Sequence, residues 1–131
     1  MPTIALVCTL HDPHATMLEQ ARRVLPALNR IFGQVCIRAS QNTHPNTLGL
    51  LGSAGAYVDS SPAPAGDGEK LGLARGQAVA LGLQCGADVL LYCDFDRAIH
   101  WGETFPDELV GTAEQIQGHD FTVLGRTPRA W

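Results

Sequence analysis

The chain has 131 residues, a one-domain length, with 45% apolar and 17% charged residues, enough to bury a core and far from a disordered composition. Net charge is -4, and no Lys/Arg cluster exceeds two in a row, which argues against nucleic acid as the main partner. No apolar run approaches the roughly 18 residues needed to span a bilayer, and Met1 to Leu10 lacks the basic start of a signal peptide, so no transmembrane segment and a cytoplasmic location are expected.

Thr3 to Leu10 is apolar and β-branched and predicts a first strand. His11-Asp12-Pro13-His14 then reads as a turn opening a helix, with Asp12 as N-cap and Pro13 in the first turn. His11, Asp12 and His14 also have the residue types to ligate a metal. From Ala15 to Phe32 the apolar spacing predicts a helix, kinked at Pro26 and stopped at Gly33. Gln34 to Ala39 predicts a second strand, Ser40 to Thr47 a polar loop, Leu48 to Leu51 a short helix, and Ala56 to Asp59 a third strand.

Ser60 to Gly68 is rich in Ser, Pro and Gly and reads as a mobile loop beside the site. A second long helix is expected over Glu69 to Cys85, with Leu71, Ala74, Ala78, Leu81 and Cys85 on one stripe. Gly72, Gly76 and Gly82 weaken that helix by about 1 kcal/mol each, so they are read as points of close approach. Gly86 ends it. A further helix, Pro106 to Gln117 with Leu109, Val110, Ala113 and Ile116 inward, and a last strand, Asp120 to Leu124, complete the chain. Strands alternating with helices specify α/β architecture: three layers, α/β/α, with a mainly parallel sheet. The absence of a closing helix reads as an incomplete unit, and an uncovered sheet edge would favour a homo-oligomer. The cysteines at 8, 36, 85 and 93 lack metal-site spacing and read as buried thiols.

The most informative stretch is Val89-Leu90-Leu91-Tyr92-Cys93-Asp94-Phe95-Asp96-Arg97. An apolar run ended abruptly by charge predicts a strand buried on both faces, with Asp94 and Asp96 just past its carboxyl end. Ligands of open parallel sheets bind there, and paired carboxylates suit Mg²⁺ or Mn²⁺ and, through it, a phosphate. With 13 acids in the chain, about one acid-x-acid pair is expected by chance, so position carries the weight. Arg97 would assist a phosphate or pair with either carboxylate, and His100 would approach the same cation. Gly66-Asp67-Gly68 does not complete a dinucleotide fingerprint, because Leu71 holds its third glycine place.

Leu73-Ala74-Arg75-Gly76-Gln77, followed by Gly86-Ala87-Asp88 and the strand to Asp94-Phe95-Asp96, resembles the central segment of inverting family-2 glycosyltransferases. The resemblance is close over about residues 70–97 and extends to 3–97 in order of elements. It implies the nucleotide-binding half of a GT-A fold and a nucleotide-diphospho-sugar donor. It also implies Asp96 as the metal-binding acid, Asp94 near the ribose or cation, Arg75 near the nucleotide, and Thr9 and Leu10 beside base or ribose. Two departures stand out. Arg38-Ala39-Ser40-Gln41-Asn42 occupies the place of an acidic turn, and Gly76 that of an Asn. The acceptor half with its catalytic base has no counterpart, so no catalytic residue is assigned. The expected function is that of a metal-dependent glycosyltransferase domain, binding rather than transferring by itself. The alternatives are a non-catalytic interaction or assembly module on the same fold, and a phosphotransferase with Asp94 as nucleophile.

Overall fold

The computed structural model describes residues 3–62 and 71–119. The expected strand at Asp120–Leu124, the Gly66-Asp67-Gly68 turn and most of the Ser60–Gly68 loop lie outside the described residues. Four strands form one sheet: β1 (Ile4–Leu10), β2 (Gln34–Ala39), β3 (Tyr57–Asp59) and β4 (Val89–Tyr92). Their order is β3-β2-β1-β4, and every pairing is parallel. The five α-helices are α1 (Leu18–Ile31), α2 (Pro45–Ser53), α3 (Leu71–Gln84), α4 (Phe95–Thr104) and α5 (Pro106–Gln115), with a 3-10 turn at Ile116–Gly118. The architecture is α/β, with helices on both faces of a parallel sheet.

Strand periodicity decides what each face meets. Leu6, Cys8 and Leu10 of β1, with Val35, Ile37 and Ala39 of β2, join the larger core with Ala21, Leu25 and Leu28 of α1, Leu51 of α2, Phe95 and Ile99 of α4, and Leu109 of α5. Ala5, Val7 and Cys36 point the other way, onto Ala78 and Leu81 of α3. Thus α3 covers one face, and the other described α-helices cover the opposite one.

α1 runs unbroken through Pro26, whose ring is on the exposed side. The carbonyl it frees therefore lies towards water, which lowers the cost of the missing bond. Pro13 sits in a turn before α1 and not in its first turn. The buried Asp12 carboxylate nevertheless ties down the entry to α1. Oδ1 accepts from Thr16 N at 2.8 Å and Thr16 Oγ1 at 2.9 Å, and Oδ2 from Met17 N at 3.2 Å and Thr47 Oγ1 at 2.9 Å.

Further expectations need correction, and Cys85 is one of them: it follows the end of α3 and is exposed, not a buried thiol. β4 is half-buried rather than buried on both faces, because among the described residues its one neighbour is β1. Val110 is 37% exposed, outside the inward stripe of Leu109, Ala113 and Ile116. Residues 95–104 form a helix, α4, that the sequence reading passed over. Of the three glycines of α3, only Gly82 marks close approach: a Cβ there would lie 2.6 Å from Val7 Cγ1 and 2.7 Å from Leu90 Cδ2, whereas Gly72 and Gly76 face open space.

Candidate functional site

Chain order and sheet order together place the site. From β1 the chain steps to β2 and then β3 on one side, and returns to put β4 on the other side of β1. The order therefore reverses between β1 and β4. In open parallel sheets, crevices lie outside the carboxyl ends of the strands at such a reversal. A cleft of about 500 Å³ lies there. Thr9, Leu10 and His11 from the end of β1, Arg38, Ala39 and Ser40 from the end of β2, and Asp94 and Asp96 from the end of β4 line it, with Met17 and Ala74.

The polar residues reach the cleft by strand alternation. Ala5, Val7 and Thr9 share the α3 face of β1, as Cys36 and Arg38 do on β2 and Leu90 and Tyr92 on β4. Along each strand the apolar member lies towards the amino end, against α3, and the polar member stands at the carboxyl end. Thr9 lies opposite Arg38 in the β1–β2 register, and Arg38 opposite Asp59 in β2–β3.

Asp94 is the centre of a compact network. Its Oδ1 accepts from Tyr92 OH at 2.6 Å and from Thr9 Oγ1 at 3.1 Å, and the two hydroxyl oxygens are 2.8 Å apart. Arg75 Nη2 lies 3.6 Å from Asp94 Oδ2. Arg75 Nε donates to Tyr92 OH at 3.3 Å, and the guanidinium sits 5.8 Å from the ring centroid, a cation–π distance. Burial raises the Tyr92 pKa, with the Asp94 carboxylate adding to the shift, so the phenol stays a donor. Asp94 occupies the N-cap position of α4, and its carbonyl accepts from Ala98 N at 3.0 Å. Its side chain makes no cap bond. A carboxylate at an N-cap ordinarily takes one; this one is turned into the cleft.

Asp96, in the first turn of α4, is exposed, and its Oδ1 accepts from Arg97 N at 2.9 Å. Asp94 takes its ion pair from Arg75 and not from the adjacent Arg97. His100 Nδ1 lies 3.5 Å from Thr104 Oγ1, a contact within its own helix. Asp12 is committed to the entry of α1, so the His11-Asp12-His14 turn has a structural role; His11 Nδ1 lies 2.7 Å from Ser40 Oγ and braces the two strand ends. Among the described residues no three His, Cys, Asp or Glu side chains gather as a metal cluster. Asp94 and Asp96 are two carboxylates at the cleft, and Mg²⁺ or Mn²⁺ sites ordinarily use one or two, with water and phosphate oxygen in the remaining positions.

Sequence reasoning missed Arg38 as a site residue. Its side chain is 2% exposed at the cleft wall. Nε donates to Gln77 Oε1 at 2.6 Å, Nη1 to the carbonyls of Ala39 at 2.6 Å and Asp59 at 3.0 Å, and Nη2 to Ser61 O at 2.7 Å. These are neutral acceptors, so a buried cation faces the cleft with four of its five donors held by protein. Asp59 is depressed below its usual value chiefly by hydrogen bonds from Ser61, and Arg38 lowers it further. Tyr92 was also missed, as one more apolar strand residue. The available signal was its two-residue spacing from Asp94, which puts both on one face of the chain.

The fold is that of an α/β protein with a cleft at a strand-order reversal. No family model, curated protein or solved structure matches the chain. No described helix is long and apolar enough to cross a membrane.

Proposed function

We propose that the cleft binds a nucleotide-diphospho-sugar with Mg²⁺ or Mn²⁺, in the manner of the nucleotide-binding half of a GT-A glycosyltransferase. The observation that carries this reading is convergence. Thr9 and Leu10 at the end of β1 and Asp94 and Asp96 just past β4, with 84 residues of chain from Leu10 to Asp94, line one crevice, and Arg75 contacts Asp94 at its side. Asp94 and Asp96 hold the cation against the diphosphate. When bound, the ion supplies charge neutralisation that makes the nucleoside diphosphate a better leaving group. Arg75, exposed beside the cleft, and the buried Arg38 add positive potential where phosphates would lie, and low local dielectric strengthens that of Arg38. Thr9 and Leu10 form the floor beside ribose or base. Tyr92 and Thr9 fix the Asp94 carboxylate, so that it is oriented before ligand arrives. The reaction this site belongs to is hexosyl transfer to an acceptor hydroxyl, and no residue is assigned as its base.

Titration calorimetry with UDP-, GDP- and dTDP-sugars, with and without Mn²⁺, tests the proposal. One donor should bind in a metal-dependent way, and Asp96→Ala, an exposed substitution that leaves the core untouched, should weaken it at least tenfold. No heat with any donor, or equal binding by Asp96→Ala, sinks the reading.

A further inference from the structure

Cys36 and Cys85 are 49 residues apart in the chain, yet their sulfurs lie 3.5 Å apart. Cys36 is fully buried on the α3 face of β2, opposite Val7 of β1 and Tyr57 of β3 in register. Cys85 is the residue after α3 and is exposed. Both backbones are held. Cys36 lies within the ladder of a strand paired on both sides. Cys85 N donates to Leu81 O at 3.1 Å, and Gly86, at φ +77°, donates to Leu83 O at 3.1 Å as the chain turns away. The left-handed conformation at Gly86 comes at little cost to glycine and ends the helix directly after Cys85.

We infer that Cys36 and Cys85 form a reversible intramolecular disulfide when the protein meets a hydroperoxide. A disulfide is about 2.05 Å long, so the sulfurs need to close by about 1.5 Å. One thiol is reachable and the other shielded, which sets the order of events. The Cys85 thiolate attacks the peroxide, breaking the O–O bond; a sulfenic acid forms and one oxygen leaves as water. Cys36 then attacks the Cys85 sulfur, the S–O bond breaks, and the thiol proton leaves with the second water. Two thiols lose two electrons and two protons, and one hydrogen peroxide becomes two waters. Burial and the neighbouring Cys85 push the Cys36 pKa up to about 12, consistent with its acting second. A dithiol reductant reverses the bond by exchange.

The bond would tie the end of α3 to the centre of the sheet. Arg75 lies ten residues earlier on the same helix, about 15 Å away along its axis, so the tie leaves the cleft side of α3 free. The device is therefore a covalent brace and not a plug. It closes a large loop in the unfolded chain, and such closure restricts the unfolded state most.

The test treats the full chain with stoichiometric hydrogen peroxide, blocks free thiols, and digests with trypsin plus an Asp-specific protease, which cuts at Asp88 between Cys85 and Cys93. A Cys36–Cys85 linked peptide, a fall from four to two reactive thiols per unfolded chain, and a rise in Tm of about 5 °C or more are expected. Cys85→Ser, an exposed change, should abolish the linkage and the Tm gain together. A Cys85–Cys85 bond between two chains, a linkage through Cys8 or Cys93, or a Tm gain that survives Cys85→Ser would overturn the inference.

Discussion

Two aspartates show how the same residue type is put to opposite uses. Asp12 and Asp94 each stand just past a strand and ahead of a helix. Asp12 is 1% exposed and spends both oxygens on the entry to α1. Asp94 leaves its helix uncapped and turns to Thr9, Tyr92 and Arg75. The difference appears in acid. Burial pushes the Asp12 carboxyl up, but its hydrogen bonds from Thr16, Thr47 and Met17 outweigh that and hold it below its ordinary value of 3.8. A depressed carboxyl stabilises the fold above the unfolded pKa, and that contribution drains away as pH falls through the folded value. Asp12→Asn should therefore cost about 1–3 kcal/mol at pH 7. It should also flatten the loss of stability below about pH 4. Urea titrations of both proteins at pH 7, 4 and 3 check this; parallel losses in the two proteins would rule it out.

At the scale of elements, α3 carries three glycines in 14 residues and still packs closely on the sheet. It covers one sheet face from among the described helices, and its glycines are not equivalent. At Gly82 the added Cβ would press on Val7 and Leu90, both seated in strands, while at Gly76 it meets nothing within 4 Å. Gly82→Ala should destabilise by about 1–3 kcal/mol despite its better helix propensity. Gly76→Ala should stabilise by about 0.5–1 kcal/mol. Chemical denaturation of the two variants decides it, and equal signs would refute the close-packing account. Gly102 repeats the theme between α4 and α1, where a Cβ would lie 2.9 Å from Leu28 Cδ2. Glycine spacing alone marked α3 as closely approached, but not which glycine mattered. That depends on the rotation of the helix about its axis, which the sheet sets.

For the molecule as a whole, Arg38 is the residue that joins the layers at the cleft. It reaches from β2 to the end of β3, to Ser61 and to α3. Arg38→Met keeps a similar apolar stem but strands Gln77 and three carbonyls without their donor. A loss of about 1–3 kcal/mol is expected, because the buried Ala39 carbonyl and the half-buried Asp59 and Gln77 acceptors lose their partner. The midpoint of urea unfolding should fall with the slope unchanged, because the same surface is exposed on unfolding. A variant as stable as the parent would show that these bonds are exchanged for water at no cost.

Much of this molecule was legible along the chain because periodicity and punctuation are local. β1, β2 and the long helices come within a few residues of their expected bounds, and the parallel α/β layering follows from their alternation. The acids after β4 were found because an apolar run ended in charge. α4 escaped because that charge was read as a site and not also as the start of a helix. Buried Arg38 and the Tyr92 hydroxyl were hidden for another reason: within a strand, the face a residue meets is decided by its neighbours, and one polar residue in an apolar run carries no mark of its partners. The strand order β3-β2-β1-β4, which opens the crevice between β1 and β4, belongs to tertiary structure alone. So does the meeting of Cys36 with Cys85. Sequence determined which segments form strands and helices and which of their faces are apolar, through spacing and propensity; only the assembled sheet, through contacts across tens of residues, decided which strands pair and which side chains share a space.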